Sequence, residues 1–178
     1  MDAPVLEGER VTLHGLTNDE VVRVAEMNAL PQVARWWAPR NPGDIRSKLV
    51  EDDQACWVVQ RDREIVGYVQ AHEETHLEFR HAGVDLILHP DVQSRGLGRE
   101  VVRPVCHYLF VSRGQHRIVI DPAQANVRAI RCYEAVGFRR VGILRSYWWD
   151  HVEERWADAS CSTSSPTTSR NRPRDFRF

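Results

Sequence analysis

The chain has little that suits nucleic acids or membranes. Lys48 is its only lysine, and its 24 basic residues are balanced by 25 acidic ones. The net charge of −1 therefore gives no basic surface for nucleic acid. No run of about 18 apolar residues occurs, so no membrane-spanning helix is predicted. The N-terminal MDAPVLEGER lacks the apolar segment of a secretory signal, so none is expected.

Cysteine is scarce, and its spacing excludes the usual zinc and disulfide patterns. The four cysteines, at positions 56, 106, 132 and 161, form no CxxC pair and have no nearby histidine pattern. We expect no metal site. We interpret the cysteines as reduced thiols of a cytoplasmic protein.

The composition is that of an ordinary soluble domain. The chain has 178 residues, of which 42% are hydrophobic and 28% charged, enough for one domain with a core. The apolar pattern predicts the order β-α-α-β-β-β-α-β-α-β, an α/β domain with a mixed sheet. The main predicted elements are strands at 10–16, 83–90, 116–121 and 138–149, a hairpin at 56–71, and helices at 18–29, 97–112 and 126–136.

The last twenty residues differ from the rest in composition. Residues 159–178 are rich in Ser, Thr, Pro and Arg, so we expect disorder there and a folded domain over 1–158. No final strand is predicted after residue 155. One hypothesis is a frameshifted end, because GC-rich codons for 159–168 give an apolar run when shifted by one base. Without this tail the domain is mildly acidic, which suits a cationic partner.

A glycine-rich turn, QSRGLG at 93–98, joins the apolar strand VDLILHP to a predicted helix. Free N–H groups and the helix dipole favour an anion at such a place, and Arg95 and Arg99 add positive charge. The alternative is an ordinary turn. No GK[ST] follows, which excludes a Walker loop, and Val101 stands where the dinucleotide fingerprint has its third glycine.

Two segments in order resemble one family. The stretch VDLILHPDVQSRGLGR resembles the acyl-CoA loop of GCN5-related N-acetyltransferases (the GNAT superfamily), Q/R-x-x-G-x-G/A, with Gln93, Gly96 and Gly98 at its fixed positions. NVRAIRCYEAVGF (126–138) is similar to the family's N-x-x-A-x-x-x-Y-E-x-x-G-F segment. The resemblance covers about residues 9 to 150. It implies the GNAT fold, in which a mixed central sheet with splayed strands 4 and 5 is flanked by helices, and acetyl-CoA as co-substrate.

The resemblance also implies where acetyl-CoA binds. Backbone N–H groups of the glycine loop would hold the pyrophosphate, and the pantetheine arm would lie between the splayed strands. The implied cofactor-binding residues are Leu86, Ile87, Leu88, Gln93, Ser94, Arg95, Gly96, Leu97, Gly98, Arg99, Asn126 and Ala129.

A closer resemblance concerns the acceptor. DPAQANVRAIRCYEAVGF is similar to a segment of aminoglycoside 6'-N-acetyltransferases, as are the pair Trp36–Trp37 and the dipeptide Val84–Asp85. It implies Asp85 as general base, Asp121 as a ligand of substrate amines, and Tyr133 as general acid. The implied partner is a small polycationic amine, an aminoglycoside. This chain has Leu86–Ile87 where close members have Gln-Trp, which puts that aromatic wall in doubt.

The chemistry of acetyl transfer needs residues of these types. An amine is protonated at neutral pH and must lose a proton before it attacks a thioester, so a carboxylate serves as base. The departing thiolate needs a proton, which a phenol can supply, and the thioester oxygen needs an N–H donor near Ile87–Leu88. We expect an acidic rim to attract a polycation, from Glu73, Glu74 and Glu78 on one side and Asp150, Glu153 and Glu154 on the other.

Each candidate also has a purely structural interpretation. Asp85 can be half of a buried ion pair, Asp121 can make an Asx turn before Pro122, and Tyr133 can be a core aromatic. The same holds for the tryptophan pair and the acidic rim, as core and solvated surface, and the histidines at 72, 76 and 81 are interpreted as surface residues. For the whole protein, the alternatives are another acceptor (a protein N-terminus, a polyamine or a siderophore precursor) and a non-catalytic acyl-CoA-binding protein.

Overall fold

The computed structural model describes residues 1–166 as one eight-stranded sheet with helices on both faces. The order across the sheet is β1-β2-β3-β4-β5-β6-β8-β7. The strands are β1 Leu6–Glu7, β2 Thr12–Gly15, β3 Gln54–Arg61, β4 Glu64–Glu74, β5 His81–Leu88, β6 Ile118–Ile120, β7 Arg139–Asp150 and β8 Arg155–Ser164. The helices are α1 Val21–Asn28, α2 Pro31–Ala34, α3 Pro42–Ser47, α4 Leu97–His107 and α5 Val127–Val136. None of the helices described is long and apolar enough to cross a membrane.

The sheet opens between β5 and β6. This parallel pair is joined only at Ala82 with Ile118 and Gly83 with Val119. Beyond that point β5 continues to Leu88 with β4 as its neighbour, and its other edge is free. The mixed sheet with two splayed strands is therefore confirmed. The splayed strands are fifth and sixth in the chain because the short β1 precedes them.

Alternating side chains of the central strands supply two cores, one on each face of the sheet. On one face Trp57 packs with Val101 and Leu109 from α4 and the helical turn that follows it. On the other face Val58 packs with Val21 of α1 and with neighbours from α2 and α3. Each such side chain contributes roughly 1.5 to 3 kcal/mol on burial. Because both faces are covered, the sheet is rigid enough to keep the gap open.

The prediction that residues 159–164 are disordered is wrong. They belong to β8, which pairs with β6 on one side and with β7 on the other. The side chains of Ser160 and Ser162 are buried, at 4% exposure each. A strand of small residues has little apolar signal, but two neighbouring strands satisfy its backbone N–H and C=O groups. The frameshift hypothesis rests on the absence of a last strand, and the structure contains that strand as β8. Residues 167–178 of the predicted tail lie outside the described residues.

Candidate active site

A cavity of about 670 Å³ occupies the gap between the splayed strands. Its walls come from β5, the loop after it, the start of α4, the end of β6, α5, α2 and β7. The predicted site residues that line it are Trp36, Trp37, Asp85, Leu86, Ile87, Leu88, Gln93, Ser94, Gly96, Gly98, Arg99, Asp121, Asn126, Ala129 and Tyr133. The fold therefore brings residues from five separate segments of the chain to one place.

The glycine loop at the start of α4 is held in a shape that exposes its backbone. Gly96 precedes the helix with φ +83°, and Ser94 has φ +61°, so the chain turns twice through the left-handed region. The Gln93 side chain donates to the Leu88 carbonyl at 2.7 Å. Gly96, Gly98 and Arg99 line the cavity, and Arg99 N donates to Gly96 O at 3.1 Å. The backbone N–H groups at the start of a helix fit a phosphate-bearing molecule.

An ion pair holds the loop from outside. Glu100 in the first turn of α4 accepts from Arg10, whose backbone N–H lies 3.0 Å from Oε2 and whose Nε lies 2.8 Å from Oε1. The same guanidinium donates to the Arg95 carbonyl at 2.9 Å. The cavity-lining residues named above include neither Arg95 nor Leu97. Leu97 is 1% exposed and belongs to the core, so its side chain is not the part of the residue that could bind cosubstrate.

Close packing between α4 and α5 explains the second glycine. A Cβ on Gly98 would lie 2.8 Å from Sγ of Cys132, so only glycine fits unless the Cys132 side chain or one helix shifts. This contact brings α5 against the loop and places Tyr133 in the cavity wall. Asn126 begins α5, and its side chain accepts from Ala129 N at 3.2 Å, as predicted for a cap.

The free edge of β5 presents two N–H groups to the gap. Ala82 N donates to Arg117 O across the parallel pair, and His89 N donates to Val66 O on the opposite side. Because N–H directions alternate along a strand, those of Leu86 and Leu88 point toward the gap. The donor predicted near Ile87–Leu88 therefore lies at Leu86 and Leu88 instead of at Ile87.

Asp85 lies on β5 with its carboxylate at the cavity. Gln70 Nε2 donates to Oδ2 at 2.9 Å. Desolvation by burial raises the pKa of Asp85, and the Gln70 hydrogen bond and the charge of His72 act against that rise. Within residues 1–166 no ion-pair partner lies against this carboxylate. A carboxylate with a raised pKa and one free oxygen is suited to accept a proton.

Tyr133 is buried in the cavity wall and packs edge-on against Phe138, with ring centroids 6.0 Å apart. Burial, followed by the negative charge of Asp85, raises the pKa of Tyr133 well above its usual range. The phenol keeps its proton at neutral pH, as a tyrosine ordinarily does, and is available as a donor.

Asp121 ends β6, and Tyr147 of β7 donates a hydrogen bond to its Oδ2 at 2.6 Å. This bond and burial raise the pKa of Tyr147 well above its usual range. The sequence did not predict Tyr147 as a site residue. It occurs in the run Tyr-Trp-Trp-Asp-His at 147–151, and nothing there marks which aromatic residue reaches Asp121.

Four tryptophans line the cavity, although the strand after Asp85 carries no aromatic residue. Trp36 and Trp37 come from the end of the α2 region, while Trp148 and Trp149 come from β7. Trp37 also packs on Tyr68, with centroids 6.1 Å apart. Aromatic residues of other segments thus line the cavity, although Leu86–Ile87 follow Asp85 on β5. The two β7 tryptophans were not predicted.

Glu73 and Glu74 do not join the site, which corrects the prediction that they bind substrate. Glu73 is 8% exposed and belongs to β4, which extends into the segment predicted as a polar connection. Burial would raise the pKa of Glu73, but hydrogen bonds from Arg113 (2.8 Å) and Gln115 (2.7 Å) outweigh it and lower the pKa. Glu74 accepts from the backbone of His76. Glu73 lies outside the cavity because side chains alternate along β4 and it faces away from the side of Gln70 and Asp85. Glu74 shares the face of Gln70 but pairs with His81, four residues along β5 from Asp85, and it does not line the cavity.

The architecture and the site together define a class of protein. A mixed sheet that opens beside a glycine loop, with a carboxylate and a phenol in the opening, is suited to transfer a group from a phosphate-bearing cosubstrate. No cluster of potential metal ligands occurs in the part of the chain that the structure describes.

Comparisons with known proteins identify the class. A model of the acetyltransferase (GNAT) family matches residues 18–138. The chain is 28% identical over 157 residues to an aminoglycoside N(6')-acetyltransferase type 1 of Klebsiella pneumoniae, covering 76% of this chain and 77% of the relative. It is 24% identical over 158 residues to a spermidine N(1)-acetyltransferase of Escherichia coli, covering 85% and 84%.

Solved structures share the fold. One is AAC(6')-Ib in complex with ribostamycin and coenzyme A, with TM-score 0.75 and 22% identity over 94% of this chain and 99% of that one. Another is a ribosomal-protein-S5-alanine acetyltransferase of Vibrio fischeri, with TM-score 0.79 and 18% identity over 92% and 97%. The chain belongs to the acetyltransferase (GNAT) family. It is an acetyl-CoA-dependent N-acetyltransferase.

Proposed function

We propose that this enzyme acetylates the 6'-amino group of an aminoglycoside by direct attack of the amine on acetyl-CoA. One observation carries the proposal: Asp85 and Asp121 line one cavity that four tryptophans also line. Carboxylates bind the ammonium groups of an amino sugar, and flat aromatic faces cover its ring carbons. The chain's similarity to an aminoglycoside 6'-acetyltransferase supports the same acceptor.

The roles follow from the geometry. Asp121 binds an ammonium group of the acceptor, with Tyr147 fixing one of its carboxylate oxygens. Asp85 accepts the proton that the attacking amine must lose. The N–H groups of Leu86 and Leu88 face the gap, where they are placed to stabilise negative charge on the thioester oxygen. Tyr133 donates a proton to the departing sulfur.

The residues of the glycine loop are those that would hold acetyl-CoA. Gly96 adopts the left-handed conformation, with φ +83°, and Gly98 leaves room for Cys132, so neither residue adds a side chain to the loop. Arg99 adds positive charge at the wall of the same cavity. When bound, the cosubstrate supplies the activated acetyl group, while the chain supplies proton transfer and orientation. Cytoplasmic action, where acetyl-CoA is available, is part of this proposal.

The test is thiol release from acetyl-CoA by the purified protein, with kanamycin, spermidine and a peptide as parallel acceptors. We expect release with kanamycin and a product acetylated at the 6'-amine, identified by NMR. Release only with spermidine or the peptide would reject the aminoglycoside and keep the family. No release with any acceptor, while acetyl-CoA binds, would reject the proposed reaction.

A further inference from the structure

A chain of buried polar side chains crosses the sheet and ends at Asp85. Gln70 lies directly opposite Asp85 on β4, and Cys56 lies opposite Gln70 on β3. The Tyr68 hydroxyl lies 3.1 Å from both Gln70 Oε1 and Cys56 Sγ, and Gln70 Nε2 lies 2.9 Å from Asp85 Oδ2. Cys56, Tyr68 and Gln70 are only 4%, 3% and 6% exposed.

Burying this series of polar side chains costs free energy in the core that it occupies. Most of its neighbours on this face are apolar side chains of α1, α2 and α3, and Asn28, Arg40 and Lys48 lie beside Tyr68 and Gln70. Burying polar groups costs free energy unless they are hydrogen-bonded, and an apolar replacement of equal shape is often no less stable. Stability alone therefore does not explain why Cys56, Tyr68 and Gln70 form a hydrogen-bonded series that ends at one carboxylate.

The hydrogen bonds of the chain run in one direction when Asp85 is ionised. Burial raises the pKa of Cys56 and also that of Tyr68, so both keep their protons. The Tyr68 hydroxyl has one proton and two possible acceptors at 3.1 Å, and it donates to Gln70 Oε1 because oxygen is a better acceptor than the Cys56 sulfur. The Cys56 thiol can then donate to the Tyr68 oxygen. The amide N–H₂ of Gln70 then faces Oδ2 of Asp85. Every group donates toward Asp85, and the carboxylate is the final acceptor.

Donation in the opposite direction, from Asp85 toward Cys56, gives weaker hydrogen bonds. A proton on Oδ2 of Asp85 would require the Gln70 amide to turn, so that its oxygen accepts from Asp85 and its N–H₂ donates to Tyr68. The Tyr68 hydroxyl would then have only the Cys56 sulfur as acceptor, and sulfur is a poor one. The chain therefore disfavours a proton on Oδ2. Within residues 1–166, the other oxygen, Oδ1, has no hydrogen-bond partner.

We propose that Gln70 and Tyr68 are positioning residues for the base: Gln70 binds Oδ2 of Asp85, and Tyr68 fixes the orientation of the Gln70 amide. Oδ1 is then the oxygen that accepts the proton, and the new O–H bond forms there as the N–H bond of the ammonium breaks. This inference rests on the proposed role of Asp85. It adds two residues on β4 that touch neither substrate.

Other titratable or charged groups also act on Asp85, and the test has to separate them from Gln70. They come from five segments: His72 of β4, Asp121 at the end of β6, Arg40 after α2, Tyr133 of α5 and Tyr147 of β7. None of them changes when Gln70 is replaced, so a shift caused by that replacement reports the hydrogen bond.

The experiment measures kcat/KM against pH for Gln70→Met, with acetyl-CoA and the acceptor found active. Methionine has a similar length but no donor. Loss of the donor disfavours the ionised form, so the pKa of Asp85 rises and the acidic limb moves to higher pH by about one pH unit. Tyr68→Phe frees the Gln70 amide to turn, so the limb moves the same way by less. An unmoved limb in both variants would overturn the proposal.

A matched control exists on the other face of the sheet. Gln115 is also buried, at 3% exposure, and its amide donates to a carboxylate, that of Glu73. Gln115→Met removes an equivalent bond far from the cavity, so the acidic limb should stay where it is. An equal shift in this control would mean a general effect of core damage and would refute the assignment. If Gln70→Met does not fold, Tyr68→Phe, which keeps the ring, decides alone.

A second readout does not need turnover. Carbon-13 labelling of aspartate carboxyls, with the Asp85 signal assigned by its loss in Asp85→Asn, follows the ionisation of Asp85 without any acceptor. A higher midpoint in Gln70→Met supports the positioning role even if no aminoglycoside is acetylated. Acetylation of kanamycin with an unchanged midpoint would reject the inference and leave the proposed function intact.

Discussion

Two aspartates share the cavity but differ in their surroundings, and the proposed division of their roles rests on this difference. Asp85 accepts one hydrogen bond from a neutral amide, and burial raises its pKa. Asp121 accepts from Tyr147 at 2.6 Å at the end of β6. A carboxylate with a raised pKa and a free oxygen suits proton transfer, whereas one fixed at a strand end suits binding.

Replacing each aspartate by asparagine should separate these roles. We expect Asp85→Asn to lower kcat by about 10²- to 10⁴-fold, because the amide cannot accept the proton. Asp121→Asn should mainly raise the KM for the acceptor, because one charge on the ammonium site is lost. Steady-state kinetics with varied acceptor measure both. A kcat for Asp85→Asn equal to that of the unchanged enzyme would show that Asp85 is not the base.

Helices α4 and α5 meet at a contact that joins the cosubstrate loop to the helix of Tyr133. The Sγ of Cys132 occupies the space beside Gly98, so the loop and the acid are positioned by the same packing. The contact explains why a glycine stands at this second position of the loop motif. Its backbone is helical, so conformational freedom is not the reason.

The contact between Gly98 and Cys132 predicts that a second substitution restores what the first one loses. Gly98→Ala places a Cβ 2.8 Å from Sγ of Cys132, so we expect a loss of about 1 to 3 kcal/mol in unfolding free energy and a higher KM for acetyl-CoA. Adding Cys132→Ala removes the sulfur, and the double variant should recover much of both. Gly142→Ala is the control, since no atom lies within 4 Å of its Cβ. Denaturant unfolding that gives strictly additive effects would contradict this account.

At the scale of the whole molecule, the gap depends on β8. This strand lies between β6 and β7, so it holds the short β6 in place and carries β7 with its tryptophans and Tyr147. Ser162 of β8 lies opposite Ile120 of β6 and Arg140 of β7. Without β8, neither Asp121 nor the tryptophans of β7 would have a fixed position.

Proline substitution tests this dependence. Ser162→Pro removes an N–H group and clashes inside a central strand, so we expect a loss of about 3 kcal/mol or more. Ser165→Pro, placed just after the strand at an exposed position, should change thermal stability little. If this segment were disordered, as its composition suggested, both variants would melt like the unchanged protein.

The sequence by itself determined the α/β fold class and the glycine-rich turn, because apolar periodicity and turn residues are local signals. It indicated Asp85 and Tyr133 only through the resemblance to a family with motifs of fixed spacing. Only the tertiary structure decided the rest. Gln70 and Tyr147 lie next to Asp85 and Asp121 across strands, and the roles proposed for them depend on these contacts. Glu73 left the site because alternation placed it on the other face, and β8 formed because two neighbours paired with it. Contacts between distant segments carry no local pattern, and they determine which polar residues meet.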